Sequence, residues 1–205
     1  MEIKKPREPA LELALTVRHD GDGGIADDIS DVAGFKSWLK DNADILGRGH
    51  DTGEEQRLRV VALRKAVRAL FAYAVRPGPA SPADTGRLMP LRQAVSAVNA
   101  AAREMPVVPV LSWPTEPAST SSPVDGRPLA AVLAQAAIAF LSGPDRLRLR
   151  ACTAPRCVRY FLKDHNRQQW CKTSCGNRAR VARHYEKHRE GHRDGHKSPT
   201  HLTIR

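Results

Sequence analysis

The feature that most constrains this chain is a set of four cysteines in its last third. They form two short pairs, Cys152-x4-Cys157 and Cys171-x3-Cys175, separated by thirteen residues. Each pair can form a tight turn that directs two sulfur atoms to one point, and four thiolates with no open position are typical of a closed, tetrahedral structural zinc site. The spacing therefore predicts one structural Zn2+ and disfavours hydrolytic chemistry at that metal.

A disulfide framework is the alternative interpretation of the same cysteines, and it requires an oxidising compartment. Residues 1–14 place charged side chains where a signal peptide has its apolar core, so we expect no export signal. The longest apolar stretch, residues 128–141, is shorter than the about 20 residues that span a membrane. We therefore expect a reducing cytoplasm, no membrane association and metal-bound thiolates.

The segment around the cysteines is poor in large apolar side chains. A module of about 40 residues rarely folds on a small core alone, whereas structural zinc contributes roughly 10–16 kcal/mol of apparent binding energy to folding. We expect residues 158–163 and 168–170 to form a β-hairpin around a polar turn, and a helix to begin after Cys175. The sizeable apolar residues of this segment are Val158, Tyr160, Phe161, Leu162, Trp170, Val181 and Tyr185.

The basic charge of the chain lies entirely in its C-terminal part. The formal net charge is +11. Residues 146–205 contain 16 Lys and Arg against four Asp and Glu, whereas residues 1–145 contain 17 against 18. A merely solvated surface usually mixes both signs, so we favour a polyanionic partner for the C-terminal part.

A helix after Cys175 would have two different faces. At about 100° per residue, Val181, Ala182 and Tyr185 share one face, which we expect to pack on the hairpin through Phe161 or Trp170. The opposite face is free to contact phosphates. Arg178 falls with the apolar face, where it either donates to carbonyls of the cysteine turns or contacts DNA. The expected nucleic-acid-binding residues are Arg180, Arg183, Lys187, His184, Arg178 and Asn177.

Histidines recur at every fourth position in the last part of the chain. On a continuous helix, neighbouring imidazoles would come within reach of a second metal. Gly191 and Gly195 argue against a continuous helix, so we favour a basic, partly disordered tail over residues 191–205, and the second metal site stays open. The histidines are His184, His188, His192 and His196.

The chain before residue 146 has the pattern of a helical domain. Residues 20–24 predict a turn, and Pro106 and Pro109 confine residues 105–113 to an edge strand. In the second predicted helix, Arg64 and Arg68 lie off the apolar stripe. The fourth predicted helix has Pro128 at its first position and is expected to bury Ile138 and Phe140. The four predicted helices cover residues 30–47 (with Ser30 or Asp31 as N-cap), 54–75, 88–98 and 128–143.

We therefore expect a mainly α fold with two ordered parts. Residues 1–145 form a helical N-terminal domain, residues 146–190 a small four-cysteine zinc finger of the treble-clef type (β-hairpin plus helix), and residues 191–205 the basic, His-rich tail.

The residues after Trp170, Cys171-Lys-Thr-Ser-Cys175-Gly176-Asn177-Arg178, resemble the CGNR zinc finger, as does the upstream Cys152-x4-Cys157. The resemblance covers about residues 128–190. In that family the finger follows an N-terminal ABATE domain of stress-induced bacterial transcription regulators, and the resemblance implies regulation through DNA binding.

The N-terminal resemblance rests on Leu13-Ala-Leu15 and Trp38-Leu39. Where the family tends to show an Asp followed shortly by Asn-Thr, this chain has Thr16-Val-Arg-His19-Asp20. A ligand or fixed turn that depends on those family positions would be lost in this copy.

Three functions remain open. The first is a DNA-binding transcriptional regulator whose N-terminal domain senses a small-molecule or protein effector or forms a homodimer. The second is a zinc-stabilised module that binds an acidic protein or RNA. The third, which we rank lowest, is a treble-clef nuclease in which His165 and Asn166 act with a second metal on Asp164 and His184 or His188. We expect no enzyme and no catalytic residue.

Overall fold

The computed structural model describes residues 7–106 and 128–194, and the side chains of its last helix as far as residue 188. Helices dominate, and a short 3-10 turn, Pro144–Arg148, precedes the C-terminal hairpin. The helices are α1 (Pro9–Leu15), α2 (Val32–Asp41), α3 (Ala43–Leu46), α4 (Glu54–Ala74), α5 (Leu91–Arg103), α6 (Leu129–Ser142) and α7 (Thr173–Asp194). The strands are β1 (Val17–His19), β2 (Ile25–Asp27), β3 (Leu149–Ala151) and β4 (Tyr160–Leu162).

The long helix α4 organises the helical region. It buries Val60, Val67 and Phe71 among others, which is the stripe that the helical spacing predicts. It packs against α1, α5 and α6, and the ring centroids of Phe71 and Phe140 lie 5.3 Å apart. The prediction of a helix over residues 54–75 is confirmed, with its end one residue earlier.

The segment predicted as the first helix forms two helices. Asp31 is the N-cap of α2, and its carboxylate accepts a hydrogen bond from the Gly34 amide at 2.7 Å. The helix stops before Asn42, whose side-chain Nδ2 donates to the Trp38 carbonyl at 2.7 Å. The prediction of a single helix was wrong because a short polar side chain that bonds the backbone competes with helical hydrogen bonding.

The third and fourth predicted helices are present with shifted ends. α5 begins after Pro90, three residues later than predicted, and Pro128 is the N-cap of α6 rather than its first helical residue. Phe140 is buried as predicted. Ile138 is 38% exposed, which corrects its predicted burial, because it faces an open groove beside α5. Among the described residues, no helix is both long and apolar enough to cross a membrane.

The edge strand predicted over residues 105–113 lies almost wholly outside the described residues. Only Met105 and Pro106 are described, and they follow α5 without strand pairing.

β1 and β2 form an antiparallel hairpin in which Arg18 lies opposite Ala26. Its turn is built on Asp20, whose carboxylate accepts backbone amide hydrogen bonds from residues 22–24 at 2.9–3.1 Å. The turn predicted at residues 20–24 is therefore confirmed.

The C-terminal hairpin uses a different partner strand from the predicted one. β4 pairs antiparallel with β3, with Arg150 opposite Phe161, whereas residues 168–170 form no strand. The predicted pairing was wrong because the alternation of Leu149 and Ala151 around Arg150 also marks a strand, and this strand lies closer to the core of the helical region.

This hairpin contributes to two cores because successive side chains of a strand point to opposite faces. Leu149 and Tyr160 belong to the core of the helical region, where the Tyr160 ring meets Phe71 edge-on at 5.5 Å. Phe161 packs instead with the cysteines. A buried surface therefore joins the cysteine cluster to the helical region.

The last helix, α7, is longer than predicted. It begins at Thr173 and continues through Gly191 to Asp194, so the expected break at Gly191 was wrong. One interior glycine costs only about 1 kcal/mol of helix stability, which does not by itself end a helix. Residues 195–205 of the expected tail lie outside the described residues.

Candidate zinc centre and nucleic-acid-binding surface

The first cysteine pair lies in the loop that joins β3 to β4. The Cys152 amide donates to the Arg159 carbonyl at 2.9 Å, which continues the strand pairing into the loop. The Cys157 amide donates to the Ala154 carbonyl at 3.0 Å, and Arg156 adopts a left-handed conformation with φ 61°. This tight turn brings both cysteines to the same side of the loop.

The second cysteine pair is held by the start of α7. Cys171 precedes the helix, and Cys175 lies in its first turn, where its amide donates to the Lys172 carbonyl at 3.0 Å. The Cys171 amide also donates to the sulfur of Cys152 at 3.5 Å, which links the two pairs directly. The helix therefore begins two residues before Cys175 rather than after it.

All four sulfur atoms lie within 4.8 Å of one another. The Sγ atom of Cys171 is 3.7 Å from that of Cys157 and 3.5 Å from that of Cys175. A tetrahedral zinc ion with Zn–S bonds of about 2.3 Å separates its sulfur ligands by roughly 3.8 Å. The arrangement fits this geometry, and the chain carries one structural four-cysteine zinc site, as predicted.

The protonation of the cluster also favours a metal. Hydrogen bonds with Cys152 and Cys171 lower the pKa of Cys157 to about 3, whereas hydrogen bonds with Cys152 and Cys157 raise the pKa of Cys171 far above its usual value. One thiolate is thus stabilised by its protonated neighbours, and its charge opposes further ionisation. A divalent cation removes that opposition and holds all four sulfurs as thiolates.

Two residues after the last cysteine support the centre. Arg178 Nη2 donates to Cys175 Sγ at 3.2 Å, so its charge compensates the thiolate. A Cβ atom at Gly176 would lie 3.1 Å from Cε3 of Trp170, so a side chain at this position would require the indole to shift slightly. Arg178 is therefore a donor at the cluster, although its acceptor is a sulfur atom rather than the expected carbonyl.

The faces of α7 differ in part from the predicted ones. Cys175 and Ala179 are buried and Ala182 is half-buried, whereas Val181 and Tyr185 are 54% and 66% exposed. The prediction that Val181 and Tyr185 pack on the hairpin was wrong because the zinc core is small. Every described side chain after Ala182 is exposed.

The expected nucleic-acid-binding residues other than Arg178 share the exposed side of α7. Arg180 donates to the side-chain oxygen of Asn177 at 2.5 Å. The guanidinium of Arg183 lies over the Trp170 ring, 5.9 Å from its centroid. At about 100° per residue, the five residues fall within a sector of about 120°. They are Asn177, Arg180, Arg183, His184 and Lys187.

A groove at the start of α7 adds cations that the sequence reasoning missed. Its cavity of about 320 Å³ is lined by Arg167, Lys172, Thr173 and Arg180 together with neighbouring polar residues. The first amides of a helix have no helical acceptor and favour an anion. The signal that could have identified Arg167 and Lys172 is their position on either side of Trp170, immediately before a helix.

The other candidate metal ligands do not form a comparable site in the described part of the chain. His184 and His188 contact each other with their Nε2 atoms 3.1 Å apart; the side chain of His192 and all of His196 lie outside the described residues. Asp164 accepts a hydrogen bond from Arg148 at 3.2 Å. Within residues 7–106 and 128–188, only the four cysteines bring three or more His, Cys, Asp or Glu ligands together. The second metal site that the nuclease hypothesis requires is therefore not found among these residues.

The fold and the metal centre define a protein with a helical region followed by a four-cysteine zinc finger. A model of the CGNR zinc finger matches residues 148–188. The ABATE model, described as "Putative stress-induced transcription regulator", matches residues 7–144, more than half of the chain. The protein belongs to the ABATE family, and the resemblance of both parts is confirmed. Neither is an enzyme family. The chain has no match among the curated proteins with which it was compared.

Proposed function

We propose that this protein is a DNA-binding transcription regulator whose zinc finger places the exposed face of α7 against DNA. The observation that carries the proposal is a group of exposed cations on α7 and in the groove at its start. Arg180 and Lys187 on α7 and Arg167 and Lys172 in the adjoining groove are exposed. None of the four forms an ion pair within the described residues.

The distribution of charged side chains on α7 supports a contact with phosphates. Among its described side chains only Glu186 is acidic, and at about 100° per residue it lies about 120° from Arg180. Among the side chains that the structure describes, Arg180 can therefore contact a phosphate without bringing Glu186 close to it. Phosphate contacts supply most of the sequence-independent affinity for DNA. Arg178 is left out of the proposed surface because its guanidinium is directed at Cys175.

Salt-dependent binding tests this proposal. The full-length, zinc-loaded protein is titrated with fluorescent duplex DNA at several salt concentrations. Four phosphate contacts predict a slope of log K against log salt of about −3.6, and loss of one contact reduces its magnitude by about 0.9. Arg180→Gln and Lys187→Gln should each show that reduction, whereas Lys36→Gln, on the exposed side of α2, should not. Absence of DNA binding by the zinc-loaded protein would contradict the proposal.

An acidic protein or RNA is the competing partner. The exposed Val181 and Tyr185 lie one turn apart on α7 and present apolar surface that suits a protein partner. Competition of labelled duplex DNA with RNA and with an acidic peptide separates these partners. Preferential displacement by the peptide would favour the protein partner instead.

The proposal includes a sensing or pairing role for the helical region and a cytoplasmic location. The zinc thiolates suit a reducing compartment. Leu91, Val95 and Ile138 are 45%, 41% and 38% exposed and border a groove of about 470 Å³, which suits pairing with a second copy of the chain. Sedimentation equilibrium tests the pairing: wild type should be dimeric and Val95→Glu monomeric. A monomeric wild type would leave sensing as the role of this region.

A further inference from the structure

The helical region contains a polar cleft that is distant in sequence from the zinc ligands. It has a volume of about 720 Å³, which lies in the range of small-molecule pockets. We propose that this cleft binds a small organic anion with an apolar body, and that its occupancy loosens the attachment of the zinc finger. The inference deepens the proposed function, because it assigns the chemistry of the effector.

The cleft is lined by more cationic than anionic side chains. The carboxylate of Asp27 is bound by both terminal nitrogens of Arg64 at 2.5 Å. The carboxylate of Asp84 is bound by Arg68 Nε at 2.8 Å and Nη2 at 3.0 Å. Each acid is thus neutralised by one arginine, and the two remaining cations of the lining belong to other residues.

Those remaining cations are Lys65 and Arg87. Both are exposed to solvent, and neither forms an ion pair within the part of the chain that the structure describes. Burial alone would raise the pKa of Asp27, but its hydrogen bonds with Arg64 and the charge of that guanidinium lower it. Asp27 therefore stays paired with Arg64, and Lys65 and Arg87 are available to an anionic ligand.

The rest of the lining explains why the ligand needs an apolar body. Val17, Ala69, Leu88 and Met89 contribute apolar walls, and Ile25, which is 52% exposed, lies on the same cleft. An inorganic anion would satisfy the cations but leave this surface in water. A carboxylate or phosphate head on a hydrocarbon body would use both features.

The cleft shares two residues with the attachment of the zinc finger. Arg68 Nη2 donates to the Val158 carbonyl at 3.3 Å, and Asp84 accepts a hydrogen bond from the Tyr160 hydroxyl at 2.7 Å. Ser81 Oγ also donates to the Val158 carbonyl at 2.8 Å. An anion in the cleft competes with Asp84 for the Arg68 guanidinium and repels the Asp84 carboxylate. The contacts of both residues with β4 and the preceding loop therefore weaken when the cleft is occupied.

Calorimetric titration of the full-length, zinc-loaded protein without DNA tests the binding. The probes are octanoate, phenyl phosphate, inorganic phosphate and neutral octanol. We expect one or both organic anions to bind, with octanol and inorganic phosphate at least tenfold weaker. Comparison of the affinities for octanoate and phenyl phosphate then shows whether the cleft prefers a carboxylate or a phosphate head. Lys65→Met and Arg87→Met should each weaken binding about tenfold, whereas the matched variant Lys36→Met should bind as wild type does.

The binding proposal is overturned if neither organic anion binds at millimolar concentration, or if Lys65→Met and Arg87→Met bind as tightly as Lys36→Met. Equal affinity for inorganic phosphate would also overturn it, because the apolar walls would then contribute nothing. None of these measurements involves DNA. A protein that binds the anions but not DNA would refute the proposed function and leave the ligand class standing.

The rate of zinc transfer to a chelator tests the coupling. Saturation with the bound organic anion should accelerate zinc release about fivefold, within the usual range of coupling between sites. At an anion concentration equal to the wild-type Kd, where the wild type is half occupied, Lys65→Met should release zinc close to the unliganded rate, because its binding is about tenfold weaker. Unchanged or slower release from the saturated wild type would overturn the proposed loosening.

Discussion

Replacement of Tyr160 by phenylalanine tests how strongly the zinc finger is attached to the helical region. The side chain is 1% exposed. Its hydroxyl donates to Asp84 Oδ2 at 2.7 Å and accepts a weaker hydrogen bond from the Ser81 amide at 3.4 Å. Phenylalanine keeps the ring against Phe71, so no cavity forms. Asp84 also keeps both hydrogen bonds from Arg68.

Both hydrogen bonds of the hydroxyl are lost, but the long one from the Ser81 amide contributes little. The expected loss is therefore mainly that of the hydrogen bond to a charged group, about 1.5–3 kcal/mol of the free energy of unfolding. A chain of this length loses roughly 2–4 °C in Tm for each kcal/mol, so Tyr160→Phe should lower Tm by roughly 3–12 °C. Thermal unfolding of the zinc-loaded protein, followed by circular dichroism, measures this change. Tyr73→Phe is the control, because its hydroxyl forms no hydrogen bond within the described residues and its change should stay within about 0.5 kcal/mol.

Equal changes in Tm for the two variants would refute the assignment of the Tyr160 hydroxyl as a buried anchor. A much larger loss accompanied by release of zinc would also refute that assignment, because it would mean that the substitution alters the packing of the hairpin.

Three further predictions concern the zinc centre and the same tyrosine. Cys171→Ser should release the metal and unfold the finger while most of the helical circular dichroism remains, and retention of stoichiometric zinc would contradict the four-ligand assignment. Arg178→Met should accelerate zinc transfer to a chelator about 10–100-fold, because the Cys175 thiolate loses its donor; a similar acceleration in Arg180→Met would argue against a specific role. Burial and the neighbouring Asp84 raise the pKa of Tyr160 well above its usual value. The stabilisation by its protonated form is therefore complete below the unfolded pKa of about 10 and declines at higher pH. The difference in unfolding free energy between wild type and Tyr160→Phe, measured in urea, should then shrink from about pH 10 to 11, and a constant difference would show that the hydroxyl ionises normally.

The parts of the fold that depend on local periodicity could be predicted from the sequence. The apolar stripe of α4 and the capping carboxylate of Asp31 each act over a few residues. The zinc ligands were predictable for a similar reason, since their pairs form local turns and the chain has four cysteines and no more.

The parts that depend on distant partners could not be predicted in this way. Arg64 and Arg68 lie off the apolar stripe, as predicted, yet both are 5% exposed because Asp27 and Asp84 neutralise them from other segments. Burial of such charges is tolerable only when the partner is in place, and periodicity carries no information about that partner. The choice of β3 as the partner of β4 depends in the same way on the core of the helical region.

The participation of the β3–β4 hairpin in both cores has a consequence for the geometry of DNA recognition. The hairpin presents Tyr160 to the helices and Phe161 to the zinc cluster, and the cluster in turn holds the start of α7. The direction of α7 is thus set by the helical region through buried contacts. Two copies paired through their helical regions would hold their α7 helices at one separation. The spacing between half-sites on the DNA, rather than their sequence alone, would then decide which operators the pair can occupy.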